Sequence, residues 1–154
     1  MEEQKRKLKK ITPLLKAKNA EVAKETAELM NIRAEKSQLA DKLQEKKTAY
    51  IKGIDHLNEI RQNGPFNQLA TLENSVDFIR KQWTQLFQEM QNMERIERQQ
   101  LTLLTLAQQN LKAVEKLEEK YRFEFFHARN REEQRIQDEQ AIKKNYADKK
   151  NATG

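Results

Sequence analysis

Glu124, Phe125, Phe126 and His127 form an E-x-x-H spacing, which is one half of a motif that binds iron. Di-iron helical bundles use two E-x-x-H motifs and add glutamates from two further helices. This chain carries a single E-x-x-H, and its other histidine, His56, lies far from it in the sequence. One copy is expected by chance in a chain with 19 glutamates. The sequence therefore predicts no metal site and no cofactor.

Catalytic motifs are missing from the sequence as well. With only three glycines there is no phosphate-binding loop of the form G-x-x-x-x-G-K-[ST], so the chain is not itself a P-loop ATPase. The two serines, Ser37 and Ser75, have no histidine and aspartate arranged around them, and the lack of cysteine excludes thiolate chemistry. We expect a protein that is not an enzyme.

The charge of the chain is positive but spread out. The net charge is +6 and the isoelectric point is about 9.4, with basic clusters at Lys5–Lys10 and Lys143–Lys150 on a surface that also carries 24 acids. Such clusters more often mark solvated helix ends than a nucleic-acid site, so we expect no nucleic-acid partner. No apolar run approaches the ~20 residues that span a bilayer, and no apolar segment follows the charged start as in a secretory signal. We expect a cytoplasmic protein.

Apolar residues recur every three and four residues through most of the chain, which separates a coiled coil from a disordered, charged chain. We call these a and d positions the seam. Before residue 63 the seam consists of Leu8, Ile11, Leu15, Lys18, Val22, Glu25, Leu29, Ile32, Lys36, Leu39, Leu43, Lys46, Tyr50, Gly53, Leu57 and Ile60. After it the seam consists of Leu69, Leu72, Val76, Ile79, Trp83, Leu86, Met90, Met93, Glu97, Gln100, Leu104, Ala107, Leu111, Val114, Glu118, Tyr121, Phe125 and Ala128.

Asn63-Gly64-Pro65 separates the two halves of the seam. Glycine commonly ends a helix, and proline cannot continue one but can open the next. If the chain folds back between Gly64 and Pro65, every a residue falls opposite a d residue, as an antiparallel pair requires. Leu57 then faces Leu72. The alternative, an extended chain that dimerises, places Pro65 inside a helix at a cost of ~3 kcal/mol or more.

The predicted fold is therefore all-α: two long helices in an antiparallel coiled-coil hairpin, monomeric in isolation. We expect helix 1 over about 5–62, the turn over 63–66 and helix 2 over about 67–148, in one elongated domain of residues 1–154. Helix 2 is the longer and overhangs at its C-terminal end, because the apolar pattern fades beyond Ala128.

Two irregular places lie along the first helix and the middle of the seam. Pro13, with Thr12 as an N-cap, predicts either a helix start or a kink. Four successive layers between residues 25–36 and 93–104 each contain one polar side chain, and we expect this section to be hydrated or mobile.

Apolar residues outside the seam indicate two partner-binding surfaces. Phe123 and Phe126 are three residues apart on one outer face, beside Arg122 and Arg129. The residues around the turn are unusually apolar for a hairpin tip; those expected to bind a partner are Tyr50, Ile54, Leu57, Phe66 and Leu69.

The segment Glu133–Ala141, with its Asp138-Glu139 pair, resembles an element near the C-terminus of FliJ/YscO-type proteins, the central-stalk proteins of bacterial flagellar export and type III secretion. Leu69, Leu72-Glu73 and Val76 are similar to the start of that family's second helix. The resemblance implies a stalk that docks in the pore of a hexameric export ATPase, promotes its assembly and activity, and links it to the membrane-embedded export gate. It leaves open whether the system is flagellar or virulence-associated.

The resemblance also implies which ends of the chain meet which partner. The residues expected at the ATPase are Lys5, Arg6, Lys7, Phe123, Phe126, Arg129, Arg131, Arg135, Asp138 and Glu139, and the tip around Tyr50–Leu72 is expected at the gate. Secretion chaperones are further candidate partners. The alternative function is a coiled-coil escort chaperone or adaptor that binds helical segments of export substrates.

Overall fold

The computed structural model describes residues 1–153, and this range contains helices and no strands. Helix α1 spans Glu2–Asn63, a short 3-10 helix spans Phe66–Gln68, and helix α2 spans Leu69–Thr153. The predicted all-α fold, with a second helix longer than the first, is confirmed. No helix in residues 1–153 combines the length and the apolarity needed to cross a membrane.

The chain divides into two compact units, each built from a part of both helices. We call Ala23–Thr105 the turn unit, because it contains the reversal of the chain. The second, which we call the terminal unit, joins Met1–Val22 to the described residues from Leu106 onward. Each unit thus pairs an early segment with a late one.

The chain reverses at Asn63-Gly64-Pro65, as the sequence predicts. Helix α1 ends at Asn63, and Gly64 takes a left-handed φ of 73° that a side chain would disfavour. The Gly64 N–H donates to the Ile60 carbonyl at 2.8 Å, which closes the last helical turn. The Gly64–Pro65 bond is cis, and the 3-10 turn follows before α2 begins at Leu69.

The predicted seam holds the turn unit together. Every seam position of this unit is buried or half-buried, and its most buried residues are Leu29, Ile32, Leu57, Ile60 and Val76. A Cβ atom built on Gly53 would lie 2.9 Å from Val76 Cγ2, so these two residues face each other in the register that the sequence predicts. Beside the seam, Arg61 and Glu73 form an ion pair at 3.3 Å.

The terminal unit has the same kind of seam over a shorter length. Ile11, Ala107 and Val114 are its most buried residues. Lys7 lies over the ring of Tyr121, with Nζ 5.5 Å from the ring centroid. Beyond Glu132 every residue with a described side chain is exposed, so α2 continues without a partner helix, as the fading apolar pattern predicts.

Pro13 does not start a helix, which corrects one of the two sequence-based expectations; the other, a kink at Pro13, stays a prediction. Helix α1 runs through Pro13, and the Thr12 hydroxyl donates to the Leu8 carbonyl at 3.0 Å as in a helix interior. Since proline has no N–H, the Lys9 carbonyl one turn earlier loses its helical donor. Pairing of Ile11 and its neighbours in the seam outweighs this local cost.

The polar layers in the middle of the seam are joined by contacts across the two helices, and the expectation that they are hydrated or mobile stays a prediction. Leu29 and Ile32 are among the most buried residues of the chain, and Gln100 is buried with them. Gln100 Nε2 donates to the Glu25 carbonyl and to its carboxylate, and Lys36 Nζ reaches Glu97 Oε1 at 3.5 Å. The polar side chains satisfy one another across the two helices, so the layers can close.

Candidate partner-binding surfaces

The outer face of α2 in the terminal unit carries a cluster of exposed rings. Phe123 and Phe126 are 65% and 51% exposed, and the His127 ring lies between them, 4.2 Å from Phe123 and 6.2 Å from Phe126 between centroids. The Arg129 guanidinium lies 5.7 Å from the Phe126 centroid, a cation–π distance. We call these four residues the aromatic–basic surface. It presents large apolar area with a positive edge, the composition of an interface anchor.

The basic residues near the start of α1 differ in what they can do. Lys5 and Arg6 are exposed, so both are accessible to a partner. Lys7 is half-buried, forms an ion pair with Glu3 at 3.7 Å and covers Tyr121. Lys7 therefore stabilises the terminal unit as well as adding positive charge.

The unpartnered segment of α2 carries a local network of ion pairs. Arg135 bonds Glu132 Oε1 at 2.6 Å and Glu139 Oε1 at 2.7 Å, which are neighbours one helical turn away on either side. The hydrogen bond from Arg135 holds the pKa of Glu132 below its ordinary value, and the same bond raises the pKa of Arg135. Because the network lies within one helix, it supports that helix and leaves its surface open to a partner.

The remaining predicted residues of this segment are accessible. Arg131 is exposed, and Asp138 accepts a hydrogen bond from Gln134 Nε2 at 3.1 Å on the exposed surface. Arg129 forms an ion pair with Glu133 at 3.8 Å in addition to its contact with Phe126. The segment thus carries charges of both signs, and Arg129 and Arg135 form ion pairs along the helix.

The tip of the turn unit presents only some of its predicted residues. Phe66 is 64% exposed, while Ile54 and Leu69 are half-buried. Tyr50 stacks on Trp83 with centroids 6.2 Å apart and an interplanar angle of 14°, so it belongs to the packing of the two helices. Leu57 is only 4% exposed and lies in the seam, which removes it as a partner contact in the folded hairpin.

Sequence reasoning missed one exposed ring of the turn unit. Phe78 is 62% exposed on α2, and it lies outside the a and d positions, so the heptad count alone could have found it. Ile51 and Phe87, also outside the seam, are 50% and 48% exposed. The apolar surface of the turn unit is therefore wider than the tip itself.

The E-x-x-H spacing of α2 forms no metal site in the described residues. His127 packs against the two phenylalanines, and within residues 1–153 no three His, Asp or Glu side chains are arranged to hold a metal ion.

Two paired helices with exposed aromatic and charged faces define an α-helical coiled-coil protein. The chain belongs to the FliJ family: it matches the family described as Flagellar FliJ protein over residues 6–150, nearly its whole length. FliJ-family proteins are structural stalk proteins of flagellar export, and this chain shares that general role. No curated protein and no solved structure matches the chain.

Proposed function

We propose that this protein is the stalk that links a hexameric export ATPase to the membrane-embedded export gate, and that it promotes assembly and activity of the ATPase. It does so on the cytoplasmic side, peripheral to the membrane. The observation that carries the proposal is the combination, in the terminal unit, of the aromatic–basic surface with a charged helical segment that has no partner helix. Membership of the FliJ family supports the same reading.

The terminal unit suits insertion into a ring of subunits. The described side chains after Glu132 are all exposed, and the segment carries charges of both signs, with Arg135 paired to Glu132 and Glu139 within the helix. Such a surface forms weak, adaptable contacts with a ring that surrounds it, because exposed ion pairs can exchange partners at little cost. Phe123 and Phe126 lie just before that segment on α2, and their large apolar side chains would bind the ring more strongly than the exposed charges do.

The turn unit supplies a second, chemically different surface for the gate. Phe66, Ile54 and Leu69 form its tip, and Ile51, Phe78 and Phe87 extend its exposed apolar area. A short helical turn needs few of these side chains for its own stability, so their exposure favours a binding role. Secretion chaperones are further candidates for contact with either unit.

The test is a binding experiment with purified components and paired variants. In the variant Phe123→Glu/Phe126→Glu, we expect loss of binding to the export ATPase with gate binding retained. In the variant Phe66→Asp/Ile51→Asp, we expect the reverse. Both pairs are exposed, so circular dichroism should show unchanged helicity. If each variant loses both partners, or if neither variant loses either partner, the assignment of the ATPase to the terminal unit and of the gate to the turn unit is wrong.

A further inference from the structure

We infer that the terminal unit has a separate groove that binds a third helix, one with an apolar stripe flanked by acidic residues. The groove lies between α1 and α2 on the side of Leu14, Leu106 and Leu117, which are 43%, 53% and 36% exposed. It borders the aromatic–basic surface, since Phe123 and His127 lie seven residues after Lys116 and Lys120 and so on the same faces of α2. The inference does not depend on the proposed stalk function.

The register of the seam places these leucines on one side of the helix pair. Leu14 immediately precedes seam residue Leu15, and Leu117 immediately precedes seam residue Glu118. In an antiparallel pair, the residues of one helix that immediately precede its a positions lie on the same side of the pair as the corresponding residues of the other helix. In the turn unit the two equivalent residues Lys42 and Glu89 line one surface depression, which shows this geometry directly.

The α2 side of the groove continues the apolar stripe by helical spacing. Leu106, Asn110, Ala113 and Leu117 follow one another at intervals of three or four residues, so they lie along one face of α2. Ala113, like Ala17 on α1, is exposed and small, which allows the backbone of a third helix to approach closely. Of the aromatic–basic surface, Phe126 and Arg129 follow seam positions and lie on the other side, whereas His127 precedes a seam position and lies on the side of the groove.

The charges around the groove identify the kind of partner. Lys10 on α1 and Lys116 and Lys120 on α2 are exposed, and none of the three forms an ion pair within residues 1–153. Of the carboxylates on this side, Glu3 is paired with Lys7 and Glu21 with Lys18, both at 3.7 Å, and Glu124 is half-buried. A helix with glutamates or aspartates beside its apolar stripe would pair with the three free lysines.

A second copy of the chain fits the groove less well. Two copies related by a twofold axis would place the same lysine-rich rim against itself, and like charges opposed across an interface disfavour association. The groove is therefore built for a different chain, with the opposite charge.

The experiment uses the full chain and two designed, fluorescently labelled peptides of three heptads. Both peptides have leucine at a and d; one has glutamate at e and g, and the other has lysine there. Like charges at e and g keep each peptide from pairing with itself. Fluorescence anisotropy then reports binding of each peptide to the wild type and to three variants: Leu106→Glu/Leu117→Glu, Lys116→Glu/Lys120→Glu, and Met30→Glu as a control on an exposed residue of the turn unit.

We expect the glutamate peptide to bind the wild type at least about tenfold more tightly than the lysine peptide. The leucine variant should lose binding of both peptides, the lysine variant should reverse the preference between them, and Met30→Glu should bind as the wild type does. Circular dichroism confirms that each variant is folded. No binding, equal binding of the two peptides, or an unchanged preference in the lysine variant would each overturn the inference. A wild-type dimer in sedimentation that Leu117→Glu abolishes would show a second copy in the groove and would also overturn it.

Discussion

Gln100 of α2 joins Glu25 of α1 through two hydrogen bonds from a single nitrogen. Its Nε2 donates to the Glu25 backbone carbonyl at 3.0 Å and also to the Glu25 carboxylate. A buried amide thus reaches both the main chain and the side chain of the facing helix. The contact fixes the two helices in one register, because a shift along the seam would leave the amide unsatisfied in an apolar layer.

Gln100→Ala should lower the free energy of unfolding by about 1–2 kcal/mol, because the facing polar groups of Glu25 lose their donor. Urea unfolding followed by circular dichroism measures the change. Gln99→Ala, on an exposed neighbouring residue, should stay within about 0.5 kcal/mol of the wild type. In a double-mutant cycle with Glu25→Ala, the two changes should be less than additive. Strict additivity would mean that the two residues do not act as a pair.

Gly53→Ala should destabilise the turn unit although alanine is the better helix former. Alanine gains about 1 kcal/mol of helix propensity over glycine, but its Cβ would lie 2.9 Å from Val76 Cγ2 in a tightly packed seam. Overpacking of this kind costs about 1–3 kcal/mol, and the stiff, β-branched valine cannot turn away easily. Adding Val76→Ala to Gly53→Ala should recover part of the loss. A Gly53→Ala protein with a raised Tm would show that the two helices are less close than described.

Pro13→Ala should stabilise the terminal unit. The substitution restores an N–H donor for the Lys9 carbonyl and removes the clash of the proline ring in the interior of α1. Together these two effects make proline cost about 3 kcal/mol inside a helix. We expect a gain of about 1–3 kcal/mol, read as a higher urea midpoint and slower hydrogen exchange of amides around Ile11. Lys16→Ala, on the same helix, serves as the control and should change the midpoint little. A lower urea midpoint in Pro13→Ala would mean that the proline ring stabilises α1, which would contradict the prediction.

The ion pair between Glu132 and Arg135 should be visible in a pH titration. Because the folded-state pKa of Glu132 lies below its ordinary value of 4.5, the pair is intact above that value and is lost as the pH falls through the lowered pKa. Carbon chemical shifts of the Glu132 carboxyl measure this pKa directly. Arg135→Gln should raise it toward 4.5, and Arg131→Gln should leave it unchanged. An unchanged Glu132 pKa in Arg135→Gln would assign the lowering to another cause.

The repeating apolar pattern was enough to predict the all-α hairpin. Spacing of three and four residues identified the seam, and Gly64-Pro65 identified its reversal, because both depend on backbone chemistry that is local in the sequence. The pairing of Gly53 with Val76 follows from the same register. The exposure of every described side chain beyond Glu132 followed from the loss of apolar residues after Ala128.

Other features depended on interactions that only the folded chain brings together. The helix through Pro13 reflects tertiary pairing that outweighs local propensity. The packing of Gln100 depends on the rotamers of two side chains from different helices, which the heptad pattern does not specify. Leu57 was expected both to pack in the seam and to bind a partner. Because it is buried, it is left only with packing in the seam.

The central claim, that this protein is an activating stalk of the export ATPase, is tested most directly by ATP hydrolysis. The purified export ATPase of the same bacterium is assayed alone, with the wild-type protein, with Phe123→Glu/Phe126→Glu and with Met30→Glu, while sedimentation follows hexamer formation. We predict that the wild type and Met30→Glu raise both the rate and the hexamer fraction, and that Phe123→Glu/Phe126→Glu raises neither. A wild-type protein that changes neither quantity would contradict the claim.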